Sequence, residues 1–410
     1  MQTTSLETDI LILGAGIGGY ETFRTLAKEL KRAGLEQKIT IVDYNNYYTF
    51  TPMLHEVASG SIEPTHCTVP LRELVYRTPH RFLKARVKKI QPAEKCVTTD
   101  VGTIRYTKLV VALGSGVNYF NTPGAAEFSY SVRTLDAAIR LRHELIAAFE
   151  KTGGSIAITI VGGGYTGIET ATQLHHLVTH DLKKLYPGRE TTITIVEAGP
   201  TILGNLPLVV QTKIKERLVR QGIPCLLGHA VQTVGKDMLT FKDGTTLPST
   251  FTVWCAGVKN QADLYLEAPY QEGGRIPTNE FLLSHTDDSL YVAGDMSRFC
   301  NPGSTQPVPQ LGETAHNQGY YVGRHLALAL QGKTTKPYTF KSHGSLIPVG
   351  EWYGVVIIGK FILFGRLAWW MRRTAYLLFI PGLLRKLKIV IDWTLHALSF
   401  RYIIDIESKK

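Results

Sequence analysis

Two stretches of this chain share one grammar: "ILILGAGIGGYE" from Ile10 to Glu21 and "ITIVGGGYTGIE" from Ile158 to Glu169. Each is a short apolar run without alternation, as in a strand buried on both faces, followed by a glycine-rich turn and a helical pattern. Gly14, Gly16 and Gly19 form a GxGxxG turn in the first copy; Gly162, Gly164 and Gly167 form it in the second, 148 residues later. The first glycine permits the tight turn, the second lets a pyrophosphate approach the backbone, and the third lets helix pack on strand. The helix N-terminus then aims its N–H groups at the phosphates. Each copy goes on to an apolar strand closed by an acid, "ITIVD" ending at Asp43 and "ITIVE" ending at Glu197. An acid there can accept hydrogen bonds from ribose hydroxyls. A lone GxGxxG is a weak signal, but two in this context predict two dinucleotide sites.

Glu197 also selects, because a carboxylate would repel a 2′-phosphate and the following "AGP" brings no arginine to hold one. NADH is therefore expected over NADPH. The segments "KLVVALGS" (108–115) and "TFTVWCAG" (250–257) are β-rich runs ending in glycine, read as crossover strands that return the chain to the first fold. "LYVAGD" (290–295) ends a further strand in Gly294 and Asp295, an acid placed to hydrogen-bond a ribityl hydroxyl. One nucleotide is then a tightly held, non-covalent FAD and the other a visiting NADH. The expected architecture is α/β, with two Rossmann-like domains, the second inserted into the first: 1–115 and 258–340 for FAD, 116–257 for NADH. A C-terminal amphipathic helical region, 341–410, follows and anchors the protein to a membrane.

With 410 residues, 44% of them hydrophobic and 19% charged, most of the chain should fold. The five cysteines are scattered without a CxxC, which argues against a disulfide framework, a zinc site or a dithiol pair, and no metal is expected. The N-terminus "MQTTSLETDI" has neither the basic nor the apolar part of a secretory signal.

These residues together resemble the two-dinucleotide-binding flavoprotein superfamily and, more narrowly, the type II NADH dehydrogenases, the non-proton-pumping NADH:quinone oxidoreductases. The likeness rests on the two turns, "FTPMLHEVASG" (50–60), "VVALGS", "LYVAGDMS", "HNQGYYVGRHL" (316–326) and the basic, apolar C-terminus. It implies that Thr51, Pro52 and Leu54 lie at the flavin ring, and Val87 by the flavin adenine. Ala112 and Gly114 would join the FAD site, and Gly257 the NADH site. It also implies a carboxylate near the nicotinamide at Glu169, whose alternative role is that of a first-turn acid favoured by the helix dipole. On the quinone side the chain departs from the family. Gly312 and Glu313 stand where Ala-Gln is usual, Asn317 replaces a second glutamine, and His343 replaces a lysine. Glu313 and His343 are candidates to deliver protons to a membrane quinone, His316 is a weaker one, and each can equally be structural. A sulfide:quinone reductase, with Cys67 and Cys300 as the loosely eligible pair, and a binding protein like the apoptosis-type flavoproteins are the alternatives.

The net charge is +11, and residues 341–410 hold 11 Lys/Arg against 4 Asp/Glu. Lys360, Arg366, Arg372, Arg373 and Arg385 interrupt the apolar text, so no transmembrane helix is expected. From 383 to 400, Arg385, Lys388, Asp392, His396 and Ser399 mark one face, and Leu384, Leu387, Ile391, Leu395 and Leu398 much of the rest. This is the pattern of an in-plane membrane helix. Trp369–Trp370 beside Arg372–Arg373 reads as interfacial. The expected setting is peripheral, on the cytoplasmic face of the cell membrane against anionic lipid. A homodimer through the C-terminal region is also compatible, and no nucleic acid is expected.

Overall fold

A computed structural model of the protein describes residues 5–151, 153–398 and 401. Strand β1 (Ser5–Leu13) leads into helix α1 (Ile17–Ala33) and strand β2 (Ile39–Asp43), and the short helix α2 (Leu54–Ala58) precedes strand β3 (Thr103–Val111). Strand β4 (Ile156–Val161), helix α3 (Tyr165–His176) and strand β5 (Thr191–Glu197) repeat the opening. Strand β6 (Leu290–Val292) and helix α4 (Gly312–Ala329) follow, and helices α5 (Arg366–Phe379) and α6 (Leu383–Leu398) come last. The chain forms two compact units: Met1–Phe50, Thr68–Gly116 and Val258–Ser342 make the first; Thr51–Cys67, Val117–Gly257 and His343–Lys410 make the second.

In the first unit a seven-stranded sheet runs Arg81–Lys84, β2, β1, β3, Cys96–Thr99, Val87–Gln91, with β6 added on β3. β1 pairs in parallel with β2 and with β3, so the strand order reverses at the C-terminal end of β1, where the glycine turn sits. Leu11, Ile12, Leu13 and Val110 are fully buried, which explains why the sequence runs apolar without alternation. The second unit repeats the plan in a five-stranded parallel sheet, Ser129–Tyr130, Phe251–Trp254, β4, β5, Cys225–Leu227. The agreement reaches single hydrogen bonds. Gly14 N–H donates to Val42 O and Gly162 N–H to Val196 O, each at 2.8 Å.

Two features differ from the sequence reading. Thr51–Cys67 groups with the second unit, whereas the expected boundary kept it with 1–115; α2 packs there on Leu135–Glu150 and α3. The C-terminal region also groups with that unit instead of standing apart, and it opens as a three-stranded antiparallel sheet, Ser345–Pro348, Gly354–Ile358 and Phe361–Gly365. Among the described residues no helix is long and apolar enough to cross a membrane.

In the first unit α1 and α4 cross closely because two glycines of α4 meet the backbone of α1. A Cβ on Gly319 would stand 2.3 Å from Gly18 O, and one on Gly323 would stand 2.8 Å from Thr22 O. Gly319→Val should therefore cost about 1–3 kcal/mol of stability by overpacking, read as a lowered unfolding midpoint. An unchanged midpoint would refute the close crossing.

Candidate active site

The two glycine turns can be tested for what they hold by asking what a side chain would meet. At the first glycine, a Cβ on Gly14 would lie 2.4 Å from Ala112 O, and Gly14 has φ +89°. At the third, a Cβ on Gly19 would lie 1.8 Å from Gly14 O and one on Gly167 1.8 Å from Gly162 O. Those glycines are demanded by the protein's own packing. The middle glycines are not: a Cβ on Gly16 or Gly164 would have nothing within 4 Å. Each lies just ahead of a helix N-terminus, so each leaves room where a pyrophosphate needs it.

The strand-terminal acids are built alike. Asp43 accepts the Ala15 N–H at 2.7 Å on one oxygen and the Asn45 N–H at 2.8 Å on the other. Glu197 accepts the Gly163 N–H at 2.6 Å and the Gly199 N–H at 2.7 Å in the same manner. Each acid thus ties its strand to the adjacent glycine turn, and each oxygen keeps a further lone pair for a ribose hydroxyl. Burial pushes the Asp43 pKa up, against these backbone hydrogen bonds. Both cradles fit a dinucleotide.

Elsewhere in the first unit, Gly294 (φ +75°) donates its N–H to Gln318 Oε1 at 2.7 Å, and Ser115 Oγ donates to Asp295. Gln310 Nε2 donates to the Asp295 carbonyl at 3.0 Å. Ala112 and Gly114 follow β3, and Gly114 has φ +72° with open space around it. Val87 is buried at the start of its strand. Glu313 accepts from Ser342 Oγ at 2.9 Å near the start of α4, close to Gly312 and Asn317. His316 faces Glu21 of α1 at 3.7 Å, and burial lowers its pKa.

In the second unit Thr51 and Pro52 lie in the turn before α2, and Leu54 begins that helix, buried. His343 is exposed just before Ser345–Pro348. At Gly257 the missing side chain makes way for Phe120, whose ring would stand 2.4 Å from a Cβ. Glu169 is the fifth residue of α3, which has no acid in its first turn, so the dipole role does not apply.

Glu169 instead ends a buried polar chain that sequence reasoning missed. Glu56, on α2, accepts Arg372 Nη1 at 2.9 Å and Trp393 Nε1 at 2.8 Å. Arg372 Nη2 donates to His55 Nε2 at 2.9 Å. That leaves the His55 proton on Nδ1, which faces Glu169 Oε2 at 3.6 Å. Burial, then Arg372, drags the His55 pKa down to about 3, so the imidazole is neutral. Glu56 is held down at about 2, Arg372 and its neighbours outweighing the desolvation that opposes them. Glu169 goes the other way, pushed up to about 7 by burial, with Arg372 opposing and Glu56 adding. A carboxyl poised there can hold or release a proton at neutral pH. The only visible signal in the sequence was the His-Glu pair inside an otherwise apolar "MLHEVA".

Of the two cysteines of the sulfide alternative, Cys67 is placed as an unreactive thiol. Cys67 is buried, donates to Pro64 O at 3.3 Å, and has its pKa pushed up to about 12 by burial. Cys300 donates to Thr305 O at 3.6 Å. Among the described residues no group of three His, Cys, Asp or Glu is placed to hold a metal.

Comparison with known proteins gives a consistent set. The pyridine nucleotide-disulphide oxidoreductase family model matches residues 8–319. A type II NADH:quinone oxidoreductase of Mycobacterium tuberculosis is 27% identical, the match covering 96% of this chain and 88% of that one. Among solved structures, NDH2 from Plasmodium falciparum in complex with NADH superposes with a TM-score of 0.88 at 18% identity, over 97% of this chain and 99% of that chain. The sulfide:quinone oxidoreductase of Aquifex aeolicus shares the fold at a TM-score of 0.74 and 18% identity, over 98% and 93%.

Breaking the buried pair from one side should be costly. Arg372→Met would strand the Glu56 carboxylate and is expected to lose about 3–5 kcal/mol in a denaturant titration. Adding Glu56→Leu should recover much of it. A double variant as unstable as the single one would contradict the pairing.

Proposed function

The chain belongs to the pyridine nucleotide-disulphide oxidoreductase family, and from that premise we propose that it is a type II NADH dehydrogenase, an FAD-dependent NADH:quinone oxidoreductase that does not pump protons. The observation that carries this reading is the duplicated cradle, each copy with an unfilled middle glycine and an acid tied back to its turn. FAD, when bound, supplies the two-electron chemistry between a nicotinamide and a quinone. Gly14, Gly16, Gly19 and Asp43 hold its nucleotide part in this reading, with Val87, Ala112, Gly114, Gly294 and Asp295; Thr51, Pro52 and Leu54 serve its ring. Gly162, Gly164, Gly167 and Glu197 hold NADH. Gly257 sits less directly, since Phe120 takes its space.

Glu169 is assigned to the nicotinamide. Above a pH of about 7 its carboxylate is charged and would stabilise the positive charge that the ring gains as NADH is oxidised. On the acceptor side Gly312, Glu313, His316, Asn317 and His343 are assigned to the quinone, Glu313 and His343 as proton carriers. His316 has the weakest claim, because it faces Glu21.

The protein acts as a peripheral enzyme at the cytoplasmic face of the membrane. Its apolar surface supports this: Leu384 is 75% exposed, Leu383 72%, Leu378 73%, and Lys360, Arg366 and Lys388 are exposed on the same C-terminal region. Anionic lipid covers such a face better than a second copy of the chain, which would bring like charges together.

The full FAD-loaded chain, given NADH and soluble menaquinone or ubiquinone analogues, should consume NADH and reduce quinone in equal amounts. Quinone left oxidised while NADH is consumed would discard the acceptor half. NADPH should be a poor substitute, and Glu197→Ser should narrow the gap. Single-turnover NADH oxidation should rise through pH 7 and flatten in Glu169→Gln at roughly 10²-fold lower rate, the scale of one lost stabilising group. A variant with the original profile would remove Glu169 from the reaction.

A further inference from the structure

Helix α5 carries two neighbouring arginines with different surroundings. Arg372 is satisfied by Glu56 and His55. Arg373 is only 8% exposed, yet among the described residues its Nε has no hydrogen-bond partner. Its guanidinium lies between two indoles, 3.7 Å from the Trp369 ring centre and 4.4 Å from that of Trp393. The nearby carboxylates are committed elsewhere: Glu56 to Arg372 and Trp393, Glu351 to Arg401 at 2.7 Å. Burial pulls the Arg373 pKa down to about 10, so an added anion would relieve a strained charge. Glu56 and Glu351 offset part of that cost from a distance, but neither is hydrogen-bonded to Arg373 among the described contacts, and buried charges are normally paired directly.

Arg373 lines a cavity of about 600 Å³ in the second unit, within the usual range for small ligands. Trp369, Trp370, Trp393, Thr374 and Thr394 share its wall. A guanidinium stacked between rings keeps its N–H edge free, the geometry that suits bidentate contact with phosphate oxygens. Leu377 and Val390 continue the wall, and from the same two helices Leu378, Leu384, Leu387 and Ile391 emerge exposed.

We propose that this cavity binds the phosphate of an anionic phospholipid, with Arg373 donating to the phosphate oxygens and the acyl chains lying along the apolar faces of α5 and α6. The apolar exit distinguishes a lipid from free phosphate, which has no use for it. The proposal rests on the membrane-surface reading for the source of the lipid but not on the identity of the electron acceptor.

Four of the chain's five tryptophans, Trp352, Trp369, Trp370 and Trp393, line the cavity, so intrinsic fluorescence reports on it. The FAD-loaded full chain would be titrated with dihexanoyl phosphatidylglycerol below its micelle concentration, with dihexanoyl phosphatidylcholine, and with inorganic phosphate. Phosphatidylglycerol should give a saturable change, with the midpoints for the other two at least roughly tenfold higher. Arg373→Gln should raise the phosphatidylglycerol midpoint by a similar factor. Thr374→Phe, which fills the cavity from an exposed position, should do the same at unchanged flavin content and melting temperature, and it decides alone if Arg373→Gln does not fold. Equal midpoints for the wild type and Thr374→Phe, or for the two lipids, would overturn the site; saturation by inorganic phosphate at the same concentration would overturn the lipid. Flotation on phosphatidylglycerol vesicles separates the two readings, because failure to float with the soluble-lipid response intact removes the membrane surface and keeps the cavity.

Discussion

A carboxylate cannot be taken out of water alone, and Glu56, 1% exposed, is among the most buried charges in the protein. Its two oxygens are answered by Arg372 from α5 and Trp393 from α6, so a five-residue helix near the start of the chain binds both C-terminal helices. This requirement accounts for the composition of the second unit. Thr51–Cys67 cannot stay with the first sheet while Glu56 needs a partner more than 300 residues away. The pair is no free gain in stability, since desolvation of both ions offsets much of their attraction. What it fixes is position: it orients His55, whose Nδ1 then faces the Glu169 carboxyl on α3.

The two nucleotide cradles follow a different logic, in which nearly every demand is local. A turn, the helix after it and the acid at the end of the next strand fall within 30 residues in the first copy, 14–43, and 36 in the second, 162–197, and each piece has its own residue signature. The hydrogen bonds of Asp43 and Glu197 show why the acid recurs even before a ligand is considered. Each bridges the strand tip to the backbone of the glycine turn, at 2.7 and 2.8 Å in one copy and at 2.6 and 2.7 Å in the other. Function and local stability therefore ask for the same side chain. That agreement explains why the repeat could be read from "ITIVD" and "ITIVE".

What the sequence concealed was non-local, or local but overlooked. Neither Glu56 nor Arg372 marks the other, and charges on an apolar text read naturally as interfacial. Arg372 and Arg373 were expected at a lipid surface beside Trp369–Trp370, but both are turned inward, one onto Glu56 and one between indoles. Trp369 is buried with them and Trp370 alone of that group is exposed. The antiparallel strands Gly354–Ile358 and Phe361–Gly365 had a signal: the β-branched run "VVII" and the aromatic-rich run "FILF" separated by Gly359-Lys360, a two-residue hairpin turn with Gly359 at φ +57°.

Helix α6 is apolar on both faces, and its inward face carries one buried acid. Asp392 is 1% exposed and accepts the Glu63 N–H at 3.2 Å and His66 Nδ1 at 2.5 Å, while Ile389 and Trp393 are buried beside it. Leu384, Leu387, Ile391 and Leu395 point outward; Ser399 and the side chain of Leu398, which belong to the same pattern, lie outside the described residues. The inner face is thus held by a buried acid with its donors, and the outer face is left greasy. Water would penalise that arrangement at about 25 cal/mol for each Å² left exposed. The proposed lipid surface would remove the penalty without asking the helix to cross it. The Glu63 and His66 contacts tie Asp392 to the segment 51–67, which also carries His55 and Glu56.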